Sequence, residues 1–191
     1  MITASRLHKE NIAEYLIYMW QIEDIIRAND LDIEKIEKNV IDRYTLTPAQ
    51  RKEMTEWYES LIDMMRRENV EKSGHLQLNK NVIIQLTDLH LALLKDPRYA
   101  KYTAEFYKTL PFIVELRAKA GENPAPEIET CFNALYGMLM LRLQSKEITP
   151  ETENAVKQIS RFIATLAAYY NLDRENKLFN DDDSAEIPAE K

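Results

Sequence analysis

From Glu10 to Arg27 the chain reads ENIAEYLIYMWQIEDIIR. At about 100° per residue, its large side chains crowd one broad helical face: Ile12, Tyr15, Leu16, Met19, Trp20, Ile22 and Ile26. Glu10, Glu14, Tyr18, Gln21 and Asp24 fall on the other side. A helix apolar over more than half its circumference needs several covering neighbours. One residue breaks the pattern. Glu23 falls in the middle of the apolar face, and Arg27, one turn later, falls beside it.

The same periodicity marks out further helices. Asp32 is a capping residue for a short helix to about Tyr44, with Ile33, Ile36, Val40 and Tyr44 as its stripe and Leu31 and Ile36 placed as a hydrophobic staple. Thr47-Pro48-Ala49-Gln50 is a capping-box start with proline at the first helical position. It opens a helix with inward Met54, Trp57, Tyr58, Leu61, Met64 and Met65, which Ser73-Gly74 is expected to close. A fourth helix, Asn79 to Lys95, carries His90 inside its apolar face. Asp96-Pro97 opens a fifth, which Pro111 is expected to interrupt and kink. The sixth, Glu127 to about Ser145, holds the most apolar run in the chain, Ala134 to Leu141. That run makes it the expected central partner of the first helix, with Gly137 on its thinner side, where a backbone could approach closely. Thr149-Pro150 starts a seventh, to about Leu172.

These stripes predict an all-α fold: an irregular antiparallel bundle of six to seven helices in a single domain over residues 1–179, followed by an acidic tail over 180–191 with too little apolar surface to hold itself down. Only three glycines in 191 residues argue against sandwiches, barrels and doubly wound sheets, which spend glycine on turns. The net charge of −7 lies largely in residues 171–191, where seven acids meet three bases. No basic stripe interleaved with aromatics supports nucleic-acid binding. No apolar run is long enough to span a membrane, and one cysteine, Cys131, leaves no disulfide framework. The expected location is the cytoplasm.

Motif chemistry is sparse. Di-iron bundles need Glu-x-x-His pairs, but Ser5, Lys72 and Thr87 precede His8, His75 and His90 by three positions. Neither a zinc motif nor a glycine-rich phosphate loop occurs, so no metal ligand, cofactor or catalytic residue is assigned. Cys131 reads as a small core residue. Glu23 and Arg27 carry two readings. In the first they form a partly buried ion pair, glutamate one turn before arginine in the favoured orientation. In the second Glu23 is a desolvated acid or base next to His90, with Arg27 or Arg142 holding an anionic ligand. The ligand-binding set on that reading is Glu23, Arg27, His90 and Arg142.

The block ENIAEYLIYMWQIEDIIRAND, followed by a short acidic-capped helix and LTPAQRKEMTEWYESLI, resembles the uncharacterised Bacteroidetes family called domain of unknown function 4924, over nearly the whole chain except the tail. The resemblance implies a bacterial, cytoplasmic, single-domain protein and supplies no catalytic residue. The functional expectation is a non-enzymatic helical protein acting through protein contacts, as a homodimer among the options, since aromatic side chains are plentiful for an interface. The alternative is a small-molecule binding protein or enzyme built on Glu23, Arg27 and His90.

Overall fold

Eight α-helices and two short 3-10 turns occupy most of residues 2–179, the residues that the computed structural model describes, and no strand occurs among them. The all-α expectation is met. The described residues separate into two compact units, residues 2–10 with 14–82 and residues 11–13 with 83–179. The expected acidic tail, 180–191, lies outside the described residues.

The first unit contains α1 (Ile2–Glu10), most of α2 (Ile12–Ala28), α3 (Ile33–Asn39), a 3-10 turn (Ile41–Arg43), α4 (Pro48–Arg67) and the beginning of α5 (Gln77–Lys95). The sequence pattern gave no sign of α1, because it lacks a continuous apolar stripe. Asn11 separates it from α2, its side-chain oxygen accepting the Ala13 N–H at 3.1 Å. All seven apolar residues assigned to the inner face of α2 are buried, and Glu23 among them is 1% exposed.

Asp32 caps α3 as expected, accepting from the backbone N–H groups of Glu34 and Lys35. The helix stops at Asn39, earlier than predicted. The 3-10 turn after it shifts the phase, so that Ile41 is buried and Tyr44, expected inward, is exposed. At α4 the capping box is complete: the Thr47 hydroxyl accepts the Gln50 N–H at 3.3 Å, and Gln50 Oε1 accepts the Thr47 N–H at 3.0 Å. Thr47→Ala should therefore lower unfolding free energy by about 1 kcal/mol, read by urea denaturation. α4 ends at Arg67, not at Ser73-Gly74. Asn69 adopts a left-handed backbone (φ 55°), and Val70 N–H returns to the Met65 carbonyl at 3.0 Å, closing the helix. The early stop frees the chain from Glu68 to Leu76 as a connection that other groups must hold.

The second unit contains the rest of α5, a 3-10 turn (Pro97–Tyr99), α6 (Ala100–Lys119), α7 (Glu127–Leu143) and α8 (Pro150–Arg174). α6, α7 and α8 pack pairwise against one another. Tyr99, Tyr102, Phe106, Phe162 and Tyr169 are buried and make edge-to-face and tilted ring contacts, a geometry aromatic quadrupoles favour. α6 runs on through Pro111, which is exposed, to Lys119.

α7 departs most from its pattern. Ile128, Cys131, Phe132 and Met138 are buried, but the C-terminal part of the chain's most apolar run is not sealed. Leu139 and Met140 are half-buried, Leu141 is 38% exposed and Leu143 is 67% exposed. Gly137 has nothing within 4 Å of where a Cβ would stand, so no backbone among the described residues approaches it from outside its own helix.

Candidate functional site

Glu23 is a carboxylate on the buried face of α2, and the structure shows how a charge survives there. Its Oε1 accepts the backbone N–H of Leu76 at 2.9 Å and the side-chain amide of Asn79 at 2.7 Å. Its Oε2 lies 2.6 Å from His75 Nδ1. Leu76 immediately precedes α5, and its carbonyl accepts the first helical N–H bonds, from Asn79 and Lys80. Glu23 is thus an N-terminal cap supplied by another helix. It puts negative charge where the free N–H groups and the helix dipole favour it. Glu68 adds a second carboxylate, accepting the Gln77 N–H.

Arg27 does not pair with Glu23. Its guanidinium makes an ion pair with Asp24 at 2.8 Å. It also donates to the carbonyls of Val70, at 3.1 Å, and Gly74. The two charges, one turn apart on α2, therefore grip the same connection by opposite groups: Glu23 takes its N–H end and Arg27 its carbonyls. Helical spacing places the two side by side on α2, but each takes partners other than the ion pair that spacing predicts. Spacing also misses His75, which stacks on Trp20 with ring centroids 4.1 Å apart and planes 13° apart. The His75 side chain is 26% exposed while the carboxylate holding it is sealed. Two polar atoms in this cluster, Asn79 Oδ1 and Arg27 Nε, are buried without a hydrogen-bond partner among the described residues.

His90 belongs to the second unit, as does Arg142. His90 is buried, its Nδ1 2.6 Å from the Tyr102 hydroxyl, with the Phe106 ring edge-on at 4.7 Å between centroids. Burial pushes the imidazole down to about 4, against a weaker upward pull from Glu127, so it is neutral at pH 7. Burial raises the Tyr102 hydroxyl well above the usual tyrosine range. The pair is a neutral polar contact that leaves no charge in an aromatic core. Cys131 is buried too, its thiol pushed up to about 12 chiefly by desolvation, which suppresses the reactive thiolate. Among the described residues, no group of three or more His, Cys, Asp or Glu side chains could hold a metal ion. No helix of the described chain is long and apolar enough to cross a membrane.

Arg142 stands in different surroundings. It lines a groove between α7 and α8 of about 600 Å³, with Leu135, Met138 and Leu139 from its own helix and Val156, Lys157 and Arg161 from α8. Arg142, Lys157 and Arg161 are exposed and make no ion pair among the described residues. Leu141 and Leu143, two positions apart and therefore on different sides of α7, are exposed near its C-terminal end. Of the four residues expected at one ligand site, two hold a connection in the first unit, one is a core histidine of the second, and one lines this open surface.

No curated protein and no solved structure matches this chain. A family model described as a domain of unknown function, DUF4924, matches residues 1–177, which takes in the Glu23 cap, the buried His90 and the α7–α8 groove alike. The chain belongs to the DUF4924 family.

Proposed function

We propose that this protein is non-catalytic and acts through protein contacts, with the α7–α8 face as its contact surface. One observation carries the reading: the most apolar run of the chain is not sealed in the core, with Leu135, Leu139 and Met140 half-buried and Leu141 38% exposed. Isolated surface leucines need no explanation, but the α7–α8 groove groups the half-buried Leu135, Leu139 and Val156, and apolar side chains grouped at a groove mark interaction sites. The buried titratable groups have structural work. The Glu23 carboxylate accepts three contacts that fix the start of α5, and His90 is kept neutral among aromatic rings. The cytoplasm is the proposed compartment, supported by a lone, buried cysteine. A bacterial, Bacteroidetes source rests on the family resemblance.

The test is a photo-reactive benzoylphenylalanine at position 143 of the full chain, irradiated in living cells, with position 56 on the exposed side of α4 as control. A discrete protein adduct from 143 and none from 56 is the expected result. No adduct from 143, or equal adducts from both, refutes the reading.

A second reading, a small-molecule site at Glu23 and His75 with Arg27 nearby, is favoured by the two unpartnered buried atoms, Asn79 Oδ1 and Arg27 Nε. A thermal-shift screen against a metabolite panel separates the two. A ligand whose stabilisation His75→Ala abolishes would establish the second.

A further inference from the structure

We propose that the α7–α8 groove receives an acidic amphipathic helix of a partner protein. This rests on the contact-surface reading and names the partner's chemistry. Leu135, Leu139 and Val156 line the groove, and among the described residues it carries Arg142, Lys157 and Arg161 against a single carboxylate, Glu153. The local excess is two positive charges (three cations less one acid) on a chain whose net charge is −7. An occupant must therefore bring negative charge and an apolar stripe together.

Length favours a helix. On α8 the lining runs from Glu153 to Ala164, about 16 Å at 1.5 Å per residue, which matches three turns of a docked helix with anchors at i, i+3 or i+4, and i+7. A second copy of this face would set two positive surfaces against each other and be repelled. Residues 180–191 are acidic but have one large apolar side chain, Ile187, and cannot present a stripe. A bare inorganic anion would leave the leucines uncovered.

The experiment uses the full chain with benzoylphenylalanine at position 143 and compares it in cells with the same chain bearing Arg142→Glu and Arg161→Glu. Both arginines are exposed, so the doubly reversed chain should melt within about 2 °C of its parent. The adduct should fall at least tenfold on charge reversal, and its cross-linked peptide should be a segment rich in Asp and Glu with leucine-like residues at helical spacing. Persistence of the adduct in the reversed chain overturns the proposal while leaving the contact surface standing. So does an adduct to a second copy, to residues 180–191, or to a basic segment. Absence of any adduct from the parent chain overturns both.

Discussion

Replacing Glu23 by alanine should destabilise the protein by about 3–5 kcal/mol, as much as truncating a large buried apolar side chain. Three groups lose their acceptor together: the Leu76 N–H, the Asn79 amide and the His75 ring. Each buried donor left unsatisfied costs about 1–3 kcal/mol, and the loss of side-chain volume adds to it. Glu23→Gln should be milder, because its amide oxygen still accepts from Leu76 and its NH2 group can donate to an imidazole in the other tautomer. The double variant distinguishes this geometry from an ion pair. Were Glu23 and Arg27 partners, removing both would be gentler than removing one. They hold opposite groups of one connection instead, so Glu23→Ala with Arg27→Ala should be no milder than Glu23→Ala alone. Urea unfolding of the two single variants and the double decides it. A double variant clearly more stable than Glu23→Ala would refute this shared grip on the connection.

Acid should weaken the second unit through His90. In the folded protein its imidazole is pushed down to about 4 from an ordinary 6.5. Between those values the unfolded chain binds a proton that the folded chain refuses. Stability therefore falls as pH drops from 6.5 towards 4 and stops changing on this account below 4. The full span corresponds to about 3 kcal/mol, at roughly 1.4 kcal/mol per pH unit of difference. Carboxylates titrate in the same range, so the measurement is a difference between chains. His90→Gln removes the titration while keeping a polar partner for Tyr102. The parent should lose about 2–3 kcal/mol more than His90→Gln between pH 7.5 and pH 4.5. Equal losses would mean that His90 takes up its proton as readily folded as unfolded.

The helices were legible because their signals are local. Thr47 with Gln50, Asp32 and Thr149 each cap the helix that the sequence placed after them, while Asp96 caps a 3-10 turn that leads into α6. The inner face of α2 could be read residue by residue, since helical spacing alone decides which side chains share a side. What the sequence hid depends on contacts distant along the chain. Glu23 lies more than fifty residues from His75, Leu76 and Asn79, and no spacing rule connects a helix interior to the start of a helix so far away. Arg27 is its nearest cation in sequence, and nearness in sequence misassigned the pair, since Arg27 takes Asp24 instead. A different ambiguity hid the α7 surface. An apolar run has the same pattern whether it faces a core or a partner, and only the packing shows that Leu141 and Leu143 lie outside.

That surface is the centre of the functional account, and one variant tests it directly. Leu141→Asp with Leu143→Asp is introduced into the full chain with the photo-reactive residue moved to position 140, and both urea stability and the in-cell adduct are measured. Exposed positions tolerate such changes within about 0.5 kcal/mol each, so the account predicts an unfolding curve close to the parent's together with loss of the adduct. A fall in stability of several kcal/mol would show that these leucines are core, and an undiminished adduct would show that they are not the contact.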